Sequence, residues 1–316
     1  MATDQPIPYG LIFPGQGSQH VGMGRELFLE NAAARSVFDE ADRVLGFELS
    51  RLCFEGPEED LNKTANTQPA ILAVSAAAWA AIGDLPSPPL AVAGHSLGEY
   101  TAIFAAGGLP LADALRIVRA RGKAMQDAVP SGDGKMVAVL GADAETVEAA
   151  CLDAARGDVL TPANFNAPGQ IVIAGASAAV DRCVQELKNR GARKLVPLPV
   201  SVPSHCALMR PAADALAPLI ARLPLARLRT PLINNADAAP LTDPEEIRSS
   251  LLRQLTSAVR WDESIRRMGR EGCRLFVEIG PGRVLSGLVK RILPDAEVLS
   301  VSGLEGLKSL KDRLSR

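Results

Sequence analysis

Residues 90–108 read LAVAGHSLGEYTAIFAAGG. A short apolar run meets the motif GHSLG at 94–98 and passes into an alanine-rich segment, a pattern typical of a strand that bends sharply into a helix. The glycines allow the tight turn and leave room around the serine between them. N–H groups at the start of the helix can face the oxygen of a group that the serine attacks. The stretch therefore predicts an α/β fold with Ser96 as a nucleophile at the bend.

Composition indicates an ordinary globular chain. The 316 residues are 47% hydrophobic and 22% charged, which excludes a disordered or fibrous protein. This length allows a large α/β core, alone or with a smaller companion domain. The formal net charge of −2 gives no indication of a nucleic acid or a membrane surface as partner. A charged partner would have to be bound by a local patch.

Cysteine usage and the N-terminal sequence favour a cytoplasmic location. The five cysteines are widely spaced and form no C-x-x-C pair, so neither a disulfide framework nor a zinc site is predicted. The first ten residues, MATDQPIPYG, contain no basic region followed by an apolar run, and no run of about 18 uncharged apolar residues follows. We expect a cytoplasmic protein without a membrane segment.

Hydrophobic patterning predicts the elements around the bend. A strand at 9–13 runs into the loop PGQGSQ at 14–19, whose N–H groups can approach a ligand closely; a plain strand-to-helix connection is the alternative. A turn rather than a phosphate loop is predicted for GPG at 280–282. Further helices are predicted at 24–45, 64–82, 111–128, 214–223, 244–255, 263–271 and 284–293, and further strands at 231–234 and 274–279.

The pattern of predicted strands and helices changes in the middle of the chain. Between 135 and 200 the predicted order is strand, helix, strand, strand, helix, strand, with NAPG at 166–169 joining the central strands. This order is that of a ferredoxin-like unit. We therefore predict a small ferredoxin-like α+β domain, residues 132–200, inserted into a large hydrolase-like catalytic domain, residues 1–131 and 201–316, with a parallel-sheet core.

A serine nucleophile needs a base, which is most often a histidine. The chain has three histidines, His20, His95 and His205. His95 adjoins Ser96, and at such a bend neighbouring side chains point apart. His205 follows a predicted strand downstream of the serine, as the histidine of hydrolase-like sites does, and is favoured; His20 stays possible.

A third group that would orient the imidazole is harder to find. Asp214 and Asp237 are the nearest acids downstream of the serine, but neither occupies the end of a predicted strand. The site can therefore be a Ser-His dyad in which a carbonyl group orients the ring.

Six sequence blocks, taken together, resemble the bacterial malonyl-CoA–acyl carrier protein transacylases of fatty acid synthesis. The resemblance covers about residues 9 to 293, and the same family includes acyltransferase domains of polyketide synthases. The blocks are FPGQGSQ at 13–19, GHSLGEY at 94–100, RGK with MQ at 121–126, NFNAPGQ at 164–170, VPSH at 202–205 and VEIGPG at 277–282.

The resemblance implies a role for each matching residue. Ser96 is the residue that is acylated and His205 is its base. The main-chain carbonyl of Gln254 orients the histidine, which would explain the missing acid. The N–H groups of Gln16 and Leu97 form the oxyanion hole.

Arg121 matches the arginine that pairs with the free carboxylate of malonyl. Arginines on an amphipathic helix such as 111–128 mostly form a solvated face, and one that turns inwards would need an anion. A guanidinium grips a carboxylate in bidentate fashion, whereas a neutral acyl chain would leave it unpaired. Asn164 and Asn166 are candidates for lining the pantetheine channel, with ordinary turn residues as the alternative.

The implied activity is transfer of malonyl from malonyl-CoA to the phosphopantetheine thiol of acyl carrier protein. A malonyl-serine intermediate gives ping-pong kinetics, and neither a metal nor another cofactor is required. The alternatives are a stand-alone acyltransferase of a polyketide synthase, a serine thioesterase or esterase, and a non-catalytic carrier-binding module. We expect a monomer.

Because acyl carrier proteins are acidic, a basic rim near the cleft is expected, with a solvated helix face as the alternative. Candidates are Lys188, Arg190, Arg193 and Lys194 on the small domain, and Arg283, Lys290 and Arg291 on the large one.

Overall fold

A computed structural model of the chain describes residues 7–130, 132–198 and 202–315. The strands are β1 (Tyr9–Phe13), β2 (Ala91–Gly94), β3 (Gly134–Leu140), β4 (Leu160–Ala167), β5 (Gln170–Ala176), β6 (Lys194–Pro197), β7 (Leu232–Ile233), β8 (Pro240–Leu241), β9 (Leu275–Ile279) and β10 (Glu297–Val301).

The helices follow in the same way. They are α1 (Arg25–Glu30), α2 (Ala32–Leu45), α3 (Leu49–Glu55), α4 (Glu58–Leu61), α5 (Thr64–Ile82), α6 (Gly98–Ala105), α7 (Leu111–Ala128), α8 (Ala144–Ala155), α9 (Ser177–Asn189), α10 (Arg210–Ala221), α11 (Pro244–Gln254), α12 (Trp261–Arg270), α13 (Val284–Ile292) and α14 (Leu304–Leu314).

The larger sheet has six strands in the order β10-β9-β1-β2-β7-β8. All neighbours pair in parallel except β8, which lies antiparallel at the edge. Successive residues of a strand face opposite sides of the sheet, so Leu11 and Phe13 join the core around α5 and α7 while Ile12 joins the core beside α12 and α13. Apolar burial on both sides explains why β1 and β9 read as uninterrupted apolar runs apart from the capping Glu278.

The register of the two central strands positions the loops that follow them. Phe13 at the end of β1 pairs with Gly94 at the end of β2. The loop after Phe13 and the bend after Gly94 therefore begin side by side at the carboxyl edge of the sheet, which is where open α/β sheets bind their ligands.

The smaller sheet has four antiparallel strands in the order β4-β5-β3-β6. Its connections through α8 and α9 produce the ferredoxin-like order, and its own core includes Val139, Ile173, Val180 and Leu187. The predicted fold class, a parallel α/β core with an antiparallel α+β unit, is confirmed. The predicted domain boundaries fall at residues 131 and 199–201, which lie outside the described residues, and the division into two domains stays a prediction.

One strand joins the smaller sheet to the rest of the chain. The Phe165 N–H donates to the Val259 carbonyl (2.9 Å), and the Val259 N–H donates to the Ala163 carbonyl (2.9 Å). This short parallel bridge fixes β4 beside the segment between α11 and α12.

Several predicted elements have different bounds. The predicted helix 24–45 is two helices, because Asn31 ends α1 and its side chain accepts the Ala34 N–H (3.0 Å) as the N-cap of α2. The predicted turn 166–169 is shorter, since β4 continues to Ala167. The predicted strand 193–200 is observed only as β6, and residues 199 and 200 lie outside the described residues. Among the described residues, no helix is both long and apolar enough to cross a bilayer.

Candidate active site

The bend between β2 and α6 depends on two close backbone approaches. A Cβ atom at Gly94 would overlap the main chain of Gly98, and one at Gly98 would overlap the Phe13 carbonyl. Ser96 lies at the apex with φ +52°, a left-handed conformation that is unusual for a residue with a side chain. The structure thus places the serine at the predicted bend, with its hydroxyl towards a cleft.

The structure brings His205 to this serine. Its Nε2 lies 2.7 Å from Ser96 Oγ, and its Nδ1 lies 3.0 Å from the Gln254 carbonyl oxygen and 3.2 Å from that of Ser257. Carbonyl oxygens only accept, so Nδ1 carries the proton and Nε2 accepts from the serine hydroxyl. This is the tautomer that a general base requires.

The surroundings of His205 keep its ring neutral. Burial, followed by the positive charge of Arg121, lowers the pKa of His205 to about 3. The ring is therefore an unprotonated base throughout the neutral range.

The other groups considered for this role lie elsewhere. His20 faces solvent, with Nδ1 3.4 Å from the Ser18 carbonyl. Asp214 is exposed on α10, and Asp237 binds Arg253 (2.8 Å) instead of the histidine. Two main-chain carbonyls therefore occupy the place of a third catalytic side chain.

Arg121 is turned inwards and is only 1% exposed. One terminal nitrogen donates to Gln68 Oε1 (2.8 Å), and the other donates to Ser96 Oγ (3.0 Å) and Gln254 Oε1 (3.1 Å). Within the described ranges, its Nε has no hydrogen-bond partner and no carboxylate lies within 4.0 Å of the guanidinium. A buried cation with no carboxylate in direct contact among the described residues thus borders the serine hydroxyl.

Two main-chain donors face the same space. Gln16 and Leu97 both line the cleft with Ser96, and among the described residues neither of their N–H groups has an acceptor. The two loops touch here, since a Cβ at Gly15 would overlap the His95 carbonyl. The pair is placed where an oxyanion hole would need it.

The cleft holds about 380 Å³ and lies between the two sheets. Asn164 of β4 lines it and is 6% exposed. Asn166 lies behind His95, whose Nε2 is 2.8 Å from the Asn166 side-chain oxygen. Contact of Asn164 with the pantetheine arm stays a prediction, and Asn166 is positioned to orient His95.

Three further residues of the site were not found from the sequence. Asn235 accepts the Ser96 N–H (2.7 Å) and donates to the Gly94 carbonyl (2.7 Å), so that it clamps the bend on both sides. Gln68 is a large polar residue beside the long apolar run of α5, which is the signal that could have found it. Glu99 is fully buried beneath the bend.

Some residues of the predicted basic rim are already engaged in contacts within the protein. Arg190 is neutralised by Asp153 (2.5 Å) and Glu186 (2.8 Å). Lys290 is exposed on α13, and its neighbour Arg291 donates to the Gln170 side chain of the smaller sheet (2.8 Å). In the described part of the chain, no group of three or more His, Cys, Asp or Glu residues is placed to hold a metal ion.

A parallel α/β sheet with a serine at a sharp turn and a histidine at its hydroxyl is the arrangement of enzymes that act on acyl groups. A family model described as the acyl transferase domain matches residues 11–308. The chain belongs to this acyltransferase family, within which its relatives are malonyl CoA-acyl carrier protein transacylases.

The similarity extends over nearly the whole chain. A malonyl CoA-acyl carrier protein transacylase of Escherichia coli K12 is 46% identical over 299 residues, which cover 94% of this chain and 95% of that protein. An acyl carrier protein S-malonyltransferase from Vibrio cholerae is 47% identical with a TM-score of 0.93, covering 96% of this chain and 99% of that one. A malonyl-transacylase solved in complex with a type II polyketide synthase acyl carrier protein is 44% identical with a TM-score of 0.94, covering 98% and 99%.

Proposed function

We propose that this protein transfers malonyl from malonyl-CoA to the phosphopantetheine thiol of acyl carrier protein through a malonyl ester on Ser96. The observation that carries the proposal is the buried Arg121 guanidinium, which lies 3.0 Å from Ser96 Oγ and has no carboxylate in direct contact among the described residues. The names of the relatives support the same reaction.

In the first step, His205 Nε2 takes the hydroxyl proton while Ser96 Oγ attacks the thioester carbonyl of malonyl-CoA. The 2.7 Å separation between the two atoms suits this transfer. The tetrahedral intermediate collapses by breaking the C–S bond, and His205 returns the proton to the departing CoA sulfur. Malonyl-Ser96 and free CoA remain.

The negative charge that develops on the carbonyl oxygen is stabilised by the N–H groups of Gln16 and Leu97. Each such donor contributes roughly 3 kcal/mol to transition-state stabilisation in a dry site. Ser96, His205, Arg121 and these two donors complete the proposed chemistry, so we expect no metal or redox cofactor.

Arg121 selects the acyl group. Its guanidinium pairs with the free carboxylate of malonyl, which supplies a direct ion pair in place of the neutral partners that Arg121 has in the described residues. An acetyl group would leave the cation unpaired, and an unpaired buried charge costs several kcal/mol. Malonyl is therefore preferred over acetyl.

In the second step, the phosphopantetheine thiol of the carrier protein enters the emptied cleft. His205 removes the thiol proton, the sulfur attacks the malonyl ester, and the C–O bond to Ser96 breaks with return of the proton to the hydroxyl. We place the reaction in the cytoplasm, which suits the five free, buried cysteines.

Intact mass spectrometry tests the proposal. Mixing with malonyl-CoA should add one malonyl group to the wild-type protein and none to Ser96→Ala, and acetyl-CoA should label far less. Adding phosphopantetheinylated acyl carrier protein should move the label to the carrier. Rapid loss of the label to water without a carrier would instead identify a thioesterase. A side-by-side comparison of carrier proteins from fatty acid and polyketide synthesis would show which one accepts the malonyl group.

A further inference from the structure

Glu99 is a buried acid that the proposed reaction does not use. It lies in the first turn of α6, three residues after Ser96, and is fully buried. Its Oε2 accepts the Asn235 N–H (3.0 Å) and the Gln254 Nε2–H (2.9 Å). Its Oε1 is buried and has no partner among the described residues. A carboxyl group with one free buried oxygen can gain a proton without breaking a hydrogen bond.

The two donors that Glu99 holds are also the groups that hold the serine. Gln254 Nε2 donates to the Ser96 carbonyl (3.0 Å), and Asn235 Oδ1 accepts the Ser96 N–H (2.7 Å). One oxygen of Glu99 thus anchors both sides of the strained Ser96 backbone. This gives Glu99 a positioning role at the bend.

Glu99 also connects to Arg121 through the Gln254 amide. With its nitrogen fixed by Glu99 and by Ser96, the amide turns its oxygen to the Arg121 guanidinium (3.1 Å). The reversed amide would direct NH2 at a cation that can only donate. Glu99 is therefore the acid that faces Arg121 across a single amide.

We propose that Glu99 is a positioning residue that serves as the counter-charge of Arg121 in the empty cleft and takes up a proton when a substrate carboxylate pairs with Arg121. This rests on the proposed function, because it requires the malonyl carboxylate at Arg121. Two carboxylates that share one buried cation cannot both stay ionised at low cost, so the second anion drives protonation of the first. The proton comes from solvent and resides on Oε1.

The charged groups around Glu99 are consistent with this exchange. Burial raises the pKa of Glu99 to about 7, while Arg121 lowers it and Asp237 raises it. Tyr100 stays protonated, because burial raises its pKa to about 12. His205 stays neutral because its pKa is lowered to about 3. Glu99 is thus the group near Arg121 that titrates close to neutrality.

The sign of the pH dependence follows from linkage. Because malonyl binding takes up a proton and acetyl binding does not, the preference for malonyl over acetyl should fall as pH rises above the pKa of Glu99. The expected fall is up to about tenfold per pH unit between pH 7 and pH 9. Ionisation of CoA itself cancels in the ratio.

The test measures kcat/KM for acylation of Ser96 by malonyl-CoA and by acetyl-CoA across this pH range, in wild type and in Glu99→Gln. Glutamine keeps an oxygen for Asn235 and Gln254 but cannot gain a proton, so its ratio should be flat with pH. Glu99→Ala loses both anchors and should slow both substrates about tenfold or more. If Glu99→Gln keeps the acylation rate that Glu99→Ala loses, the effect comes from the hydrogen bonds that position Ser96 and not from packing volume alone.

Glu278→Gln is the matched control. Glu278 is also fully buried, with a pKa raised by burial, but its oxygens accept from Leu285 and Ser286 at the start of α13. Its ratio should fall with pH as in wild type. A flat wild-type ratio, or a Glu99→Gln ratio that falls as steeply as wild type, would overturn the inference. Failure of malonyl-CoA to acylate wild-type Ser96 would overturn the proposed function instead.

A second measurement does not depend on the folding of Glu99→Gln. In Ser96→Ala protein in weak buffer with a pH indicator, malonyl-CoA should cause uptake of a substantial fraction of one proton per bound molecule at about pH 8, and acetyl-CoA should cause none. Equal proton uptake with both ligands, or none with malonyl-CoA once it is shown to bind, would overturn the inference.

Discussion

The two sheets contribute to the cleft in opposite ways. The helices and loops around the parallel sheet supply buried polar groups, such as His205, Arg121 and Gln254, that are hydrogen-bonded to each other or to the Ser96 bend. The antiparallel sheet supplies Asn164 and apolar groups at the wall, and its β4 is joined to the large sheet's side by two main-chain hydrogen bonds. Under the proposed function, the first region would carry out the reaction and the second would contact the substrate arm.

The charged residues of the two regions also differ in how deeply they are buried. In the antiparallel unit, ion pairs such as Lys135–Asp181 and Arg182–Asp158 lie at the surface, where water screens them and each contributes little. Beside Ser96, the Arg121 charge is buried, so that its loss or pairing has a large effect. Substitutions of charged residues in the two regions should therefore differ by orders of magnitude in their effect on malonyl transfer.

Ser96→Ala should give the largest effect. Without the hydroxyl no acyl-enzyme forms, and the rate of malonyl transfer should fall roughly 10⁴-fold or more. Quenched-flow assays with intact mass detection would measure it. Transfer at near wild-type rate would contradict the proposed mechanism and the assignment of the chemistry to the residues around the parallel sheet.

Arg121→Ala should have the next largest effect. Loss of the cation removes the partner of the malonyl carboxylate, and the malonyl-to-acetyl ratio of kcat/KM should fall about a hundredfold, or ~2.7 kcal/mol. Arg119→Ala is the matched control, because Arg119 lies on the same helix but packs on Phe47 outside the cleft. An unchanged ratio in Arg121→Ala would show that this arginine does not select the substrate.

The pH profile of the acetyl reaction tests the base. Because burial lowers the pKa of His205 to about 3, the unprotonated base persists as pH falls from 7 to about 5. Acylation by acetyl-CoA should then stay nearly constant, whereas a histidine with an ordinary pKa would lose about 25-fold of its unprotonated form. Acetyl-CoA is the substrate of choice because it brings no anion to Arg121. A loss of activity centred near pH 6.5 that persists in Glu99→Gln would contradict the neutral, buried base.

Asn164→Ala probes the antiparallel wall and should have a smaller effect. It removes a polar group from the channel, so KM for the carrier protein should rise several-fold while acylation of Ser96 changes little. Asn189→Ala, at the exposed end of α9, is the control. A large fall in the acylation rate would contradict the expectation that Asn164 contacts the substrate arm without taking part in acylation.

A charge reversal on α13 should give the smallest effect. Lys290→Glu should raise KM for the acidic carrier protein a few-fold, more strongly at low salt, and leave KM for malonyl-CoA unchanged. Lys308→Glu on α14 is a control of equal charge change. Equal behaviour of the two variants would remove Lys290 from the docking surface.

Strongly patterned elements could be predicted from the sequence. The bounds of β1, α5 and α7 coincide with the predicted ones, because continuous or periodic apolar runs end at clear breaks. The strand β10 and the helix α14 were missed, since β10 is a half-exposed edge strand and no strong apolar run marks it. The break at Asn31 was missed because one capping side chain decides it.

The residues of the site also differ in whether the sequence alone could identify them. Ser96 and His205 could be named from a local motif and from the scarcity of histidines, and Arg121 from resemblance. Glu99 and Asn235 could not, because their roles depend on hydrogen bonds to residues more than a hundred positions away. Only the fold brings such groups together.

The orientation of His205 by main-chain carbonyls has a consequence for mutagenesis. Every residue has a carbonyl oxygen, so no side-chain substitution at 254 or 257 deletes the acceptor of the Nδ1 proton. An alanine scan would therefore leave this acceptor in place, and an effect of Gln254→Ala would report the loss of its side-chain bonds to Ser96, Glu99 and Arg121 instead. Tolerance of this kind makes the ring orientation robust to point substitution and dependent on where α11 ends.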